Sequence, residues 1–297
     1  MIEKVLLLPL KKKAPKVKRE RAHRPVRKRG EPLPPLPPPT PLTFGIAWGV
    51  HFYTALGLVC ASGIAAALFH GGPDAFRWSF GLMALATFID ATDGTLARKV
   101  RIKEVLPNFD GRRLDDITDF LTYTALPLVL VWRAGLLPPG LEWSLTVPLL
   151  ASAYGFCQSA AKTDDGYFLG FPSLWNVVAF YLYALQLNPW VALAVIQVLA
   201  LLTFVPSRYL YPTQPGRLNA VASALGAVWT VMLGYVLWAM PAAEELRAGR
   251  TDPRVTGLVV ASLFFPVFYM AASWVITARI WLRKPVVTVV EPEPEPA

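Results

Sequence analysis

Charge is scarce along this 297-residue chain: Asp, Glu, Lys and Arg make up 16% of it, against about 25% in ordinary soluble proteins. A cytosolic globular enzyme is therefore disfavoured. Cysteine is scarce as well. The two present, Cys60 and Cys157, both sit in apolar runs, which leaves neither a disulfide framework nor a Cys-based zinc centre. No internal repeat is visible, so neither a solenoid nor an internally duplicated transporter is suggested. Hydrocarbon fills the chain instead, with 54% apolar residues, 10 Trp and a mean hydropathy of +0.42. No water-soluble surface could hide that much, and the composition points to an all-α, polytopic membrane helix bundle.

Basic residues are unevenly placed, and their placement carries topology. The first 41 residues hold Lys11 to Lys13, Arg27 to Arg29 and other cations, then end in a Pro-rich stretch from Pro32 to Pro41. Lacking periodicity and apolar surface, 1–41 reads as a disordered basic tail on the cytoplasmic side, near anionic headgroups, rather than as a nucleic-acid arm. The run from Val5 to Leu10 is too short for the core of a signal peptide. Residues 42–284 read as the transmembrane domain, and 285–297 as an acidic, Pro-rich tail. Eight apolar stretches are expected as spans, at 44–70, 75–97, 115–137, 142–162, 172–187, 189–210, 217–240 and 255–282; the fifth and sixth are divided only by Asn188 and Pro189. With both termini inside, the outer loops keep only Arg77, Arg133, Arg247, Arg250 and Arg254 of 29 Lys and Arg, as the positive-inside rule requires.

Ionisable groups inside spans are costly, so the few that exist locate a site. Asp90 and Asp93 fall in the last turns of the second span, and Asp115, Asp116 and Asp119 open the third. Spacings of three and four put Asp90 with Asp93, and Asp115 with Asp119, on one helix face each. The second span enters the cytoplasm where the third leaves it, so four carboxylates meet at one depth. They would repel severely unless cations neutralised them, and all-oxygen ligation suits two Mg²⁺ or Mn²⁺ ions. Pairing with the basic linker, Arg98 to Arg113, would not need same-face spacing on both helices. Gly94 and Gly111 sit where backbone can approach a ligand, Gly94 and Ala97 leave a bare strip of helix, and Arg98 offers a fork of donors suited to phosphate. Together they describe a nucleotide diphosphate over a two-metal site.

The string D-A-T-D-G-T-L-A-R from Asp90, twelve residues, then G-R-R-L-D-D-I-T-D to Asp119 resembles the signature of the CDP-alcohol phosphotransferases, D-x2-D-G-x2-A-R-x(n)-G-x3-D-x3-D. The long gap before Gly111, with F-D-G-R-R-L-D-D from Phe109 and Y-G-F-C-Q-S-A-A-K-T-D-D-G-Y from Tyr154, is similar to the bacterial branch whose acceptor is choline. The resemblance implies that Asp90, Asp93, Asp115 and Asp119 hold the metal pair, that Asp119 is the general base, and that Gly94, Ala97, Arg98 and Gly111 line the CDP pocket. It puts His51 and Thr54 where members carry a polar pair facing the nucleotide, although simple packing stands beside this for His51. Asp110 and Asp116 lie outside the pattern. The implied reaction joins CDP-diacylglycerol and choline into phosphatidylcholine and CMP, in a homodimer of the bacterial inner membrane with its site facing the cytoplasm.

Choline carries a fixed cation best bound by aromatic faces and a carboxylate. The segment joining the fourth and fifth spans offers Tyr154, Phe156, Tyr167, Phe168, Phe171 and Trp175 beside Asp164 and Asp165; of these, Tyr154, Phe156, Asp165, Tyr167 and Trp175 are the candidate choline ligands. An interfacial aromatic belt would have the same composition. A phosphorylated acceptor would need further cations, which Arg208, Arg217 and Arg279 could supply, and serine is another candidate. A membrane prenyltransferase would need a second Asp-rich helix, for which only Asp164 and Asp165 are available. A cation-coupled transporter would bury its carboxylates midway across the bilayer.

Overall fold

In the computed structural model, residues 38–158, 163, 166–211 and 216–282 are described. The tails expected at 1–41 and 285–297 lie outside them except for 38–41, and so do Asp164 and Asp165. The described residues from Pro39 to Leu282 belong to one compact unit. Helix α1, Pro41–His70, starts where the Thr40 side chain accepts the Thr43 amide at 3.2 Å and Pro41 occupies the first turn, where its missing N–H costs nothing. Gly71 and Gly72, with φ of 71° and 106°, reverse the chain into α2, Ala75–Val100, which packs back along α1.

A single irregular rod follows. After the short helix α3, Ile102–Val105, helix α4 runs over Gly111–Asp119, a π-helical stretch over Phe120–Ala125, and α5 over Leu126–Arg133. Pro127 explains the irregularity: it has no N–H for the carbonyl of Tyr123, and its ring would clash there in a regular helix. The chain widens by one residue instead, and the Leu126 amide bonds Leu121 O. Beyond lie a 3₁₀ turn at Glu142–Leu145 and helices α6, Thr146–Cys157; α7, Trp175–Ala184; α8, Pro189–Leu202; α9, Arg217–Ala239; α10, Ala243–Arg247; α11, Pro253–Ser262; and α12, Phe264–Trp281. The main core gathers Phe80, Leu130, Trp175, Phe180 and Ile196, and a smaller cluster of Ala47, Val50, Ile102, Val105 and Leu106 anchors the α2–α4 linker.

This is the expected helical membrane protein. Pro41–His70, Arg217–Ala239 and Pro253–Trp281 are long and apolar enough to cross a bilayer, and Pro189–Leu202 is a shorter apolar helix. Helix occupies part of every expected stretch, but α7, with ten residues, rises only about 15 Å, half a hydrocarbon thickness. The sixth stretch is shorter than expected. Its helix stops at Leu202, and Arg208–Leu210 is a strand, β2, paired antiparallel with β1, Tyr167–Leu169. A strand edge in apolar surroundings needs partners, because an unsatisfied backbone group there costs several kcal/mol. Helix α12 supplies them from one face: Thr277 Oγ1 accepts the Arg208 amide at 2.8 Å, Ser273 Oγ accepts the Leu210 amide at 3.1 Å, and the Tyr269 hydroxyl donates to Leu210 O at 3.0 Å.

One close approach decides where α4 sits. A Cβ on Gly57 of α1 would lie 2.3 Å from the γ-methyl of Thr118, whose hydroxyl is tied to Leu114 O at 2.8 Å, whereas Gly49 faces open space. Gly57→Val should therefore destabilise the protein by about 1–3 kcal/mol through overpacking, and Gly49→Val should leave it unchanged. Thermal unfolding of the detergent-purified variants checks this; equal melting curves would refute the fit.

Candidate active site

Three helical segments build an acidic centre. Asp90 near the end of α2, and Asp115 and Asp119 on one face of α4, each offer a carboxylate oxygen, and the three oxygens lie within 4.8 Å of one another. Asp93, one turn beyond Asp90, is buried and accepts a 2.7 Å hydrogen bond from the Thr54 hydroxyl of α1. Asp93 and Asp116 both lie within electrostatic range of Asp119. Thr54 is one turn from Gly57, so the contact that seats α4 also sets the hydroxyl that holds Asp93. On α4 the start is set by Asp110, whose side chain accepts the Arg113 amide at 3.2 Å. Asp110, outside the motif, is thus a helix cap.

Like charges about 4 Å apart repel by about 4 kcal/mol per pair at an effective dielectric of 20. Among the described linker cations, Arg113 pairs with Asp110 at 3.1 Å, Arg101 pairs with Glu104, and Arg98 donates to Thr95 Oγ1 at 3.0 Å while lying within electrostatic range of Asp93. The atoms that converge are carboxylate oxygens, the donor chemistry that suits a hard divalent cation.

Beside the carboxylates lies a small-residue wall. Gly111 backs onto His51, since a Cβ there would come within 2.4 Å of His51 Cε1. The His51 ring also meets Phe109 at 4.4 Å and Trp48 at 6.0 Å. His51 is buried, and its Nε2 has no hydrogen-bond partner. The Arg98 guanidinium lies over Gly94, with Nη1 3.3 Å from the position of an added Cβ. Ala97 packs against the cluster containing Val50 and Leu106.

The aromatic candidates do not form one cage. Tyr154 is half exposed, contacts Phe204 at 5.0 Å and accepts from Gln158. Phe156 meets Phe120 edge-on at 5.7 Å, next to Asp119, while Tyr167 sits in β1 opposite Leu210. Trp175 is 1% exposed and donates through Nε1 to Ser152 Oγ at 2.7 Å, so it is core, fastening α7 to α6. Sequence reasoning passed over three neighbours of the site. Trp48, three residues before His51, could have been found from helical spacing. Phe109 lay inside a quoted string. Tyr123, which donates to Asp90 Oδ2 at 2.7 Å, carried no signal, because its orientation depends on the π-helical turn.

Fold and site together define a class: a multi-pass membrane enzyme that gathers carboxylates at the adjoining ends of two helices. Residues 51–205 match the family described as CDP-alcohol phosphatidyltransferase, and the chain belongs to that family. It is 40% identical over 205 residues to a protein of Pseudomonas aeruginosa named phosphatidylcholine synthase, covering 68% of this chain and 84% of that one. Proteins of the same name from Agrobacterium fabrum (37% over 193 residues, 64% and 78% covered) and Legionella pneumophila (38% over 183 residues, 61% and 71% covered) are also similar.

Repulsion at the acidic centre makes a testable demand. In EDTA, Asp115→Asn should raise the unfolding temperature by relieving like-charge contact. In excess Mn²⁺ the parent should gain about 2.7 kcal/mol at a hundredfold excess over Kd, and the variant clearly less. Differential scanning fluorimetry in both conditions decides; an unchanged order of stability would contradict the arrangement.

Proposed function

We propose that this protein is an integral membrane phosphatidyltransferase making phosphatidylcholine and CMP from CDP-diacylglycerol and choline. The observation that carries this reading is the meeting of Asp90, Asp115 and Asp119 beneath the full nucleotide-lipid signature, in a chain whose relatives bear the name phosphatidylcholine synthase. Asp90, Asp93, Asp115 and Asp119 hold two divalent ions, Mg²⁺ or Mn²⁺; the converging oxygens and the hydroxyl already on Asp93 suit that task. When bound, such ions draw charge from the diphosphate and improve CMP as a leaving group.

The remaining work belongs to the chain. His51, Thr54, Gly94, Ala97, Arg98 and Gly111 line the CDP site, and the unpartnered Nε2 of His51 is a buried polar atom suited to a ligand. Thr54 spends its proton on Asp93 and keeps its oxygen as an acceptor. Asp119 takes the proton of the choline hydroxyl as that oxygen bonds the β-phosphorus; the bond from this phosphorus to the oxygen bridging to CMP breaks, and CMP departs with the electron pair. The choline side is assigned to Phe156, which meets Phe120 beside Asp119, with Tyr154, Tyr167 and Asp165 as further candidates, while Trp175, enclosed in the core, is not a ligand. Residues 42–284 constitute the catalytic domain between two tails, a multi-pass homodimer of the bacterial inner membrane with the site toward the cytoplasm. One substrate is lipid-soluble and the other arrives from water, which accounts for chemistry at the interface.

Detergent-purified protein should release CMP from CDP-diacylglycerol only when choline and a divalent ion are both present. Release with inositol phosphate, glycerol phosphate or serine in place of choline would reassign the acceptor. Asp119→Asn should retain CDP-diacylglycerol binding while CMP release falls at least about 100-fold, the lower range of general-base catalysis; retained turnover would remove Asp119 as the base.

A further inference from the structure

Tyr123 lies outside the signature, four residues after Asp119, in the π-helical stretch Phe120–Ala125. Its hydroxyl donates to Asp90 Oδ2 at 2.7 Å, across from the third helical rod to the second. Single π-helical turns are rare and are often found at functional sites. Here the turn has a local cause in Pro127, and its effect is to alter which residues share a face with Asp119. The phenol comes to rest over the acidic cluster. The contact parallels the one from Thr54 to Asp93, so two neighbouring carboxylates of α2 each accept a hydroxyl from a different helix.

We infer that Tyr123 is a positioning residue for the metal centre, holding the Asp90 carboxylate in the orientation that points it at Asp115 and Asp119. The inference rests on the two-metal reading of the site. A carboxylate has a freely turning terminal torsion, and turning it would separate its oxygen from the other two. An ionised acceptor makes the hydrogen bond stronger than a neutral pair would. Repulsion from Asp115 and Asp119 would drive Asp90 to rotate away before an ion binds. The phenol opposes that rotation and adds no positive charge to compete with the ion. A mere fastener between two helices would act whether or not Asp90 were a ligand, and the test separates the two roles.

The test uses the full-length protein in detergent, stripped with EDTA and titrated with Mn²⁺ alone, free Mn²⁺ being read by electron paramagnetic resonance. Tyr123→Phe, which removes one oxygen and keeps the ring, should weaken Mn²⁺ binding roughly 10–100-fold, the usual effect of losing a group that orients a metal ligand. The Mn²⁺ concentration for half-maximal CMP release should rise by the same factor. In an Asp90→Ala background the same change should alter Mn²⁺ affinity less than about twofold, because its acceptor is gone. Unchanged affinity in Tyr123→Phe, or an equal loss in both backgrounds, would overturn the positioning role and leave the functional reading intact. Failure of the unaltered protein to bind Mn²⁺ would instead overturn the metal centre, and this inference with it.

Discussion

Aspartates held at the ends of adjacent membrane helices repel one another in a medium that screens poorly, and such an arrangement persists only if the surrounding structure holds each carboxylate in place. Asp90, Asp115 and Asp119 are in this position, with their oxygens within 4.8 Å. Hydrophobic burial cannot supply the restraint, since it is indifferent to direction. Two hydroxyls contribute directed contacts: Thr54 donates to Asp93 and Tyr123 to Asp90. Like charges gathered this closely cost stability, the usual exchange at a functional site.

Helix α1 serves as the jig against which the acidic helices are set. Its buried face carries His51, Thr54 and Gly57 at successive turns. Gly57 admits Thr118 of α4, Thr54 bonds Asp93 of α2, and His51 backs onto Gly111 at the start of α4. Each contact is with a different part of the centre, and one small residue makes the closest of them possible. Small residues at membrane helix contacts commonly serve packing alone; here the packing also sets the register of the carboxylates.

The apolar setting explains polar details far from the site. Strand β2 completes its backbone bonding on Ser273, Thr277 and Tyr269 of α12, since among the described residues no third strand pairs with that edge. Likewise Trp229 of α9 donates to the Tyr181 hydroxyl of α7 at 2.8 Å, and Tyr181 shares a 2.8 Å hydrogen bond with Ser262 of α11. Three helices are thereby linked through groups that could not stay unpaired. These bonds fix the rotation of helices whose apolar faces alone would slide.

The membrane class, the helical stretches and the aspartates were legible because they rest on local properties: hydrocarbon in runs, breaks at Gly71–Gly72 and Pro189, and carboxylates at one-turn spacing. The strand at Arg208–Leu210 was not, for three residues carry no periodicity and the strand exists only through β1 and α12. Nor was the division among the aromatics, since Trp175 and Tyr154 look alike in a string, yet one is enclosed by the core and the other half exposed. Tyr123 shows the limit most clearly. Composition and spacing determine which side chains a helix carries, but the azimuth at which they emerge depends on how turns are wound and which neighbours press against them. Pro127 makes an irregular turn necessary, but the form that turn takes, against α1 and α2, was decided by the tertiary structure.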